Sequence, residues 1–178
     1  NKIYNHKFKK VDSQIIVIGK TFGHLEQSTY INQLYNLHEG MPPEVNLLNE
    51  KNNGEMVLKL IGSGIINSIH DVSTGGIILS LAEMSISSQI GIKINKPKKI
   101  LNISEYFFGE DQSRYLIEVE KNNYSKLEKQ LKDNNIYFDN IGFTQKEYFE
   151  LDNDLKISVK ELYEMNNRWY NQFNGLGN

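Results

Sequence analysis

The segment Ile65–Glu83 constrains the fold more than any other part of the sequence. It begins with a short apolar run, Ile65–Ile69, then turns polar, and resumes after Gly75–Gly76 with apolar residues at helical spacing. This pattern predicts a strand, a glycine turn and a helix, with polar side chains at the mouth of the turn. The backbone N–H groups at such a helix start, together with the helix dipole, favour a bound anion.

Strand and helix patterns alternate along the whole chain. Strands are predicted at Ile15–Gly19, at Ile90–Ile94 as an edge or half-buried strand, at Tyr115–Val119, at Ile136–Phe143, and in a terminal hairpin of Glu147–Leu151 and Leu155–Ser158. Helices are predicted from Ser28 to Tyr35, from Asn46 to Gly62–Gly64, over Gly75–Ser88, over Tyr124–Leu131, and after a capping box that begins at Ser158. The fold class is therefore α/β (α+β), a single domain with a mixed β-sheet covered by helices.

The chain divides into two parts in this interpretation. Residues 15–174 form the domain, and the polar residues 1–14 are a connector from a preceding domain or an edge strand. The first residue is Asn rather than Met, which indicates a piece of a longer protein.

Composition excludes several functional classes. The net charge of −2 and the pI near 6.1 argue against a nucleic-acid binder that relies on phosphate contacts. Without cysteine there are no disulfides and no thiolate metal ligands or nucleophiles, which is compatible with a reducing, cytoplasmic environment. No apolar run approaches the roughly 18–20 residues that span a bilayer, so no membrane partner is expected.

Several motifs in one order resemble a known family. They are the H-D-V-S-T-G-G sequence at residues 70–76, the Ile15–Gly19 strand followed by Gly23 and Ser28–Tyr30, the Pro42–Pro43 pair, the F-G-E-D-Q-S-R-Y sequence at residues 108–115, and the closing helix at Ser158–Trp169. Together they resemble the C-terminal domain of the aminoimidazole ribonucleotide synthetase superfamily over about Gln14 to Phe173. Within that superfamily the motif sequences are most similar to those of the last such domain of the phosphoribosylformylglycinamidine synthase family.

Two positions depart from the pattern of that family. Glu26-Gln27 stands where the family usually has two glycines, and Thr74 stands where it usually has an aspartate before the glycine pair. Both changes remove features that would help to hold an anion or a metal ion.

The resemblance implies a role within a larger purine-biosynthesis ligase. Enzymes of this family use ATP, Mg²⁺ and glutamine-derived ammonia to convert formylglycinamide ribonucleotide to formylglycinamidine ribonucleotide. The implied partners are the preceding N-type and C-type domains of the same chain, a glutaminase and small bridging subunits. The His-Asp motif is similar to that of the pseudo-symmetric, generally non-catalytic half of these enzymes. The fragment is therefore expected to be a structural half, inactive alone and without a cofactor of its own.

Two alternatives remain open. The chain resembles the C-terminal domains of other superfamily members as well: aminoimidazole ribonucleotide synthetase, selenophosphate synthetase, thiamine-phosphate kinase and a hydrogenase maturation factor. From the residues alone, it is also compatible with a free-standing module that binds a phosphate-bearing metabolite at the Gly75–Gly76 helix start.

The resemblance marks a set of candidate ligand-binding residues and no catalytic residue. The candidates are Asp71, Ser73, Gly75, Gly76, Glu110, Asp111 and Gln112. Asp71 is a candidate Mg²⁺ ligand, as the matching aspartate is in the active half of the family. The structural alternative is that an oxygen of Asp71, Ser73 or Thr74 caps the helix that starts at Gly75.

Structural roles are predicted for the other notable side chains. For the Glu110–Gln112 loop, the alternative to ligand binding is packing on a neighbouring domain, with Arg114 paired to one of the acids. His70 is predicted to be a hydrogen-bonded core or interface histidine rather than a general base. His6, His24 and His38 lack metal-ligand spacing and are predicted to lie at the surface.

Overall fold

A mixed sheet of seven strands runs through the computed structural model, which describes residues 3–97 and 102–175. The strands are β1 Gln14–Ile18, β2 Ile66–Asp71, β3 Gly91–Ile94, β4 Tyr115–Val119, β5 Phe138–Gln145, β6 Tyr148–Leu151 and β7 Leu155–Ser158. Their order across the sheet is β2-β4-β1-β5-β3-β6-β7. Neighbouring strands are antiparallel except for β3 and β6, which are parallel. The predicted class, a mixed sheet with helices in a single domain, is confirmed.

Six helices accompany the sheet in the described residues. They are α1 Thr29–Tyr35, α2 Leu47–Ser63, α3 Gly76–Ser88, α4 Ile103–Phe108, α5 Lys121–Asp133 and α6 Val159–Phe173. The predicted helix starts at Ser28, Asn46 and Ser158 are confirmed, and each of these side chains caps its helix by accepting a hydrogen bond from the backbone N–H three residues later. None of the described helices is both long enough and apolar enough to cross a membrane.

The sheet is buried on both faces near its centre. In β1, Ile15 and Val17 point into a core that α3 covers, whereas Ile16 and Ile18 point into a second core formed with α2 and α5. Strands covered on both faces carry continuous apolar runs rather than an alternating pattern. This explains why the unbroken I-I-V-I sequence of β1 folds as a central strand.

The prediction that Ile90–Ile94 is an edge or half-buried strand is right about the burial and wrong about the edge position. In the structure, β3 lies inside the sheet between β5 and β6, and Ile92 and Ile94 are fully buried. The Lys93 side chain between them is 40% exposed, and its ammonium group lies 3.1 Å from the Glu150 carboxylate on the neighbouring β6. That partner lies 57 residues further along the chain, beyond the reach of a local pattern.

The segment before β1 packs against the sheet without forming a strand or helix of its own. Phe8 is buried in the α3-side core. The Glu118 carboxylate on β4 is fully buried and accepts hydrogen bonds from the N–H groups of Lys9 and Lys10 and from the Ser68 hydroxyl. The connector role of residues 1–14 stays a prediction, and residues 1 and 2 lie outside the described residues.

Leu81 and Leu58 provide a matched test of this core. Leu81 on α3 is completely buried, whereas Leu58 on α2 is 68% exposed. Leu81→Ala is expected to lower the free energy of unfolding by about 2–5 kcal/mol, since it leaves a cavity. Leu58→Ala is expected to change it by no more than about 0.5 kcal/mol. Urea unfolding of the two variants checks this, and equal losses would contradict the described packing.

Candidate functional site

Three strand ends meet at one edge of the sheet. Ile18, at the end of β1, and Asp71, at the end of β2, both pair with Tyr115, at the start of β4. Immediately before β4 runs the segment 109–114, with the sequence G-E-D-Q-S-R, which we call the acidic loop. The loop after β1, the β2–α3 turn and the acidic loop are therefore neighbours, which brings the sequence-predicted candidates into one region.

Asp111 organises the loop that follows β1. Its carboxylate accepts hydrogen bonds from three consecutive backbone N–H groups, those of residues 22–24, at 3.0, 2.9 and 3.2 Å. The residue is only 5% exposed. A carboxylate is an acceptor only, and three amide donors satisfy much of its hydrogen-bonding capacity. Asp111 is thus directed into its own domain.

Glu110 connects two helix starts. Its Oε1 atom accepts a hydrogen bond at 2.8 Å from the N–H of Thr29, the first residue of α1. The same atom accepts a second bond, also at 2.8 Å, from the N–H of Gly75, immediately before α3. Helix N-termini attract negative charge and carry unpaired N–H groups, so the carboxylate is stabilised there electrostatically as well as by hydrogen bonds.

Arg114 holds the acidic loop from within. The side chain is 1% exposed and donates to the carbonyl oxygens of Asp111 and Gly109 and to the Thr21 hydroxyl. Its Nη1 atom lies 3.7 Å from the Asp111 carboxylate, so the structure pairs Arg114 with an acid of the loop. Burial lowers the pKa of the guanidinium, and the nearby Asp111 carboxylate acts in the opposite direction.

The glycine pair of the β2–α3 turn allows the acidic loop to approach closely. Gly75 and Gly76 both have positive φ angles, of 77° and 68°. A Cβ atom on Gly76 would lie 2.7 Å from the carbonyl oxygens of Phe107 and Gly109. The pair is therefore required by backbone conformation and by space.

The prediction that a side-chain oxygen of Asp71, Ser73 or Thr74 caps α3 is wrong. The start of α3 has no side-chain cap, and the Gly76 N–H bonds instead to the backbone carbonyl of Ser73. The nearby carboxylate comes from Glu110, 35 residues further along the chain. Asp71 is turned away from the turn, and its side chain is 70% exposed.

His70 lies between two carboxylates on the outer strand β2. Its Nε2 atom is 2.8 Å from Glu83 on α3, and its Nδ1 atom is 3.4 Å from the Asp71 carboxylate. The side chain is 15% exposed, which agrees with a hydrogen-bonded histidine in a largely buried position. The ring of His6 lies beside it, with centroids 5.3 Å apart.

The prediction of three surface histidines holds fully only for His38. His6 is half-buried, and burial together with the neighbouring His70 lowers its pKa. His24 is also half-buried, with Nε2 2.8 Å from the carbonyl oxygen of Met41. Both contacts join residues that are distant in sequence, so composition and spacing did not reveal them.

A cleft of about 570 Å³ opens beside the acidic loop. Gln112 lines it with an exposed side chain, whereas Asp111 contributes to its wall. Sequence patterns gave no signal for the other polar residues that line it, which include His24, Glu26, Glu44, Asn46, Asn49 and Glu105. Of the candidates in the acidic loop, Gln112 is the one whose side chain is exposed at this cleft.

The β2–α3 turn does not fit an ATP phosphate and Mg²⁺. The Gly75 and Gly76 N–H groups already bond to Glu110 and Ser73, so neither is available to a phosphate. Mg²⁺ prefers oxygen ligands, yet the closest potential partner of the Asp71 carboxylate is an imidazole nitrogen. Among residues 3–97 and 102–175, no three His, Asp or Glu side chains are grouped to hold a metal ion.

Comparison with known proteins agrees with the motifs. The family model described as AIR synthase related protein, C-terminal domain, matches residues 10–150. The chain belongs to this family. The resemblance inferred from the sequence is therefore confirmed at the level of this domain.

Two curated relatives of this AIR synthase related domain share a name. The phosphoribosylformylglycinamidine synthase subunit PurL of Pelagibacter ubique is 42% identical over 165 residues, which is 93% of this chain and 23% of that protein. The PurL subunit of Rhodopseudomonas palustris strain HaA2 is 35% identical over 91% of this chain and 22% of its own length. The chain thus spans about a quarter of the length of these relatives.

Solved structures share the fold at low identity. T. maritima PurL complexed with FGAR has a TM-score of 0.72 at 15% identity, over 90% of this chain and 29% of that one. E. coli HypE, a hydrogenase maturation protein, has a TM-score of 0.62 at 17% identity, over 89% of this chain and 52% of that one. The fold is therefore common to proteins with different names, while the closer sequence matches given above are to PurL.

Asp111 and its neighbour Gln112 offer a matched pair of substitutions. Asp111→Ala leaves three partly buried N–H groups without an acceptor and is expected to lower the free energy of unfolding by about 1–3 kcal/mol. Gln112→Ala, at an exposed side chain, is expected to change it by no more than about 0.5 kcal/mol. Chemical denaturation measures both, and an Asp111 variant as stable as the Gln112 variant would contradict the structural role of this carboxylate.

Proposed function

We propose that this chain is the C-terminal domain part of a PurL-type phosphoribosylformylglycinamidine synthase and serves there as a structural, pseudo-symmetric half. The complete enzyme would use ATP, Mg²⁺ and glutamine-derived ammonia to convert formylglycinamide ribonucleotide to formylglycinamidine ribonucleotide. The identity to PurL subunits, 42% over 93% of this chain, supports the assignment to this enzyme. A purine-biosynthesis enzyme of this kind works in the cytoplasm.

One observation carries the structural part of this proposal. The two carboxylates of the acidic loop accept hydrogen bonds from five backbone N–H groups of their own domain. Turning these carboxylates toward a ligand would be costly, because the backbone N–H groups would then lose their hydrogen-bond acceptors. A loop that would face substrate in an active half is used here to hold the domain together.

Ligand contacts, where this domain makes them, are proposed to come from the surface that remains open. Gln112 at the cleft is the leading candidate, followed by Ser73, which belongs to the β2–α3 turn. Asp71, Gly75, Gly76, Glu110 and Asp111 would support such a ligand by fixing the backbone around it. The solved complexes of T. maritima PurL with ATP and with FGAR support nucleotide and substrate binding by the longer protein.

The remaining parts of the enzyme would come from elsewhere. We expect N-type and C-type domains of the same chain to complete the active site, with a glutaminase and small bridging subunits as partners. The solved structure of PurLQS from T. maritima supports partner subunits of this kind. The net charge of −2 supports the expectation that nucleic acid is not a partner.

A segment exchange tests the proposed function. The 165-residue matching segment of the P. ubique PurL subunit is replaced by the corresponding part of this chain, and FGAR-dependent ATP hydrolysis is measured with ammonia as the nitrogen donor. We expect the exchanged protein to retain activity, and the subunit that lacks the segment to have none. A folded, soluble exchanged protein without activity would contradict the assignment.

The isolated chain is expected to bind Mg-ATP no more tightly than a dissociation constant of about 1 mM, or about 4 kcal/mol of binding free energy. The reason is that the N–H groups of the β2–α3 turn are already bonded within the domain. Isothermal titration calorimetry measures this directly. A micromolar dissociation constant would show that the domain carries its own nucleotide site. It would then contradict the view that the isolated chain is inactive for lack of such a site.

A further inference from the structure

The sequence contains two Asn-Gly pairs, Asn53-Gly54 and Asn174-Gly175, and the fold places them in opposite environments. An asparagine before a glycine is chemically labile, because glycine has no Cβ atom to shield its backbone nitrogen from the neighbouring side-chain amide. The first pair lies inside α2, whereas the second stands where α6 ends. The proposed function uses neither pair.

We propose that Asn174 is a site of spontaneous deamidation and that the fold protects Asn53 from the same reaction. The backbone nitrogen of Gly175 attacks the side-chain carbonyl carbon of Asn174, and the new nitrogen–carbon bond closes a cyclic imide. The bond from that carbon to Nδ2 breaks, and ammonia leaves with the proton that the Gly175 nitrogen gives up. Water then opens the imide at either of its carbonyl carbons, which yields aspartate or isoaspartate.

The surroundings of Asn174 allow this ring closure. Asn174 is the exposed C-cap residue of α6, and its N–H and its Nδ2 atom both bond to the carbonyl oxygen of Tyr170, at 3.0 and 3.1 Å. The N–H of Gly175 makes a longer bond of 3.2 Å to the Gln172 carbonyl. A Cβ atom built on Gly175 would meet no atom of the described residues within 4 Å. Helix ends fray at little cost in free energy, so the side chain can turn onto the Gly175 nitrogen in the presence of water.

The surroundings of Asn53 oppose the reaction. Asn53 is 8% exposed, and its Nδ2 atom donates to the carbonyl oxygen of Ser113 at 2.9 Å and to the Ser113 hydroxyl at 3.2 Å. The pair lies within the 17-residue helix α2, so Gly54 is held in regular helical backbone. Ring closure would require α2 to open and the contact with the acidic loop to break. The same dipeptide is therefore kept in an unreactive conformation.

Deamidation would remove the cap of α6. A carboxylate only accepts hydrogen bonds, so the product loses the side-chain bond to the Tyr170 carbonyl. It also adds negative charge at the C-terminal end of a helix, where the helix dipole is itself negative. Isoaspartate further reroutes the main chain through the former side chain. The affected last turn carries the exposed side chains of Tyr170 and Phe173.

Peptide mapping by mass spectrometry tests the proposal on the 178-residue chain after incubation at mildly alkaline pH, below its melting temperature. In the folded chain we expect Asn174 to gain the mass difference between an amide and an acid at least about tenfold faster than Asn53, since opening α2 costs more than fraying the end of α6. In the same chain unfolded in urea, the two rates should become similar. Asn53 thus serves as the matched control within one molecule.

Asn174→Gln keeps a side-chain amide but would need a larger, less favourable ring, so the C-terminal peptide of this variant should no longer change in mass. Equal rates at the two asparagines in the folded chain would overturn the proposal, as would an Asn174 that stays unmodified. A difference in rate that persists unchanged in urea would also overturn it, because the protection would then not come from the fold. None of these readouts involves nucleotide or FGAR, so failure here leaves the proposed function untouched.

Discussion

Two adjacent carboxylates, Glu110 and Asp111, hold together three chain segments that would otherwise carry unpaired donors. They accept hydrogen bonds from N–H groups in the loop after β1, at the start of α1 and immediately before α3. Partly buried N–H groups without acceptors are costly. Arg114 fixes the loop that carries both acids. The edge of the sheet where β1, β2 and β4 meet depends on this network.

The same network explains why a glycine-rich helix start need not be a ligand site. The start of α3 has the backbone donors and the dipole that suit an anion, but the anion is the domain's own Glu110. The alternative of a free-standing phosphate-binding module loses its main support, because that alternative required these N–H groups to be free. Beside this network, a cleft stays open at Gln112.

Local chemistry was predictable from the sequence, and long-range pairing was not. Ser28, Asn46 and Ser158 could be identified as helix starts because the interaction is local. Each side chain accepts a hydrogen bond from the backbone N–H only three residues later. The interior position of β3 depends on β6, and the acceptor at Gly75 depends on Glu110, so both required the folded chain. The six-residue helix α4 is too short to show a clear period. The family motifs marked residues of the acidic loop and the β2–α3 turn, which the fold brings together, but they did not indicate that the acids of the loop point inward.

Amide hydrogen exchange in a Glu110→Ala variant, which lacks the acceptor oxygen, tests the central claim most directly. Because one oxygen of Glu110 accepts from both Thr29 and Gly75, the account predicts that these two amides lose protection together. The amides of residues 22–24, which bond to Asp111, should keep theirs. Unchanged protection at both Thr29 and Gly75, in a variant that remains folded, would contradict the view that Glu110 holds these helix starts.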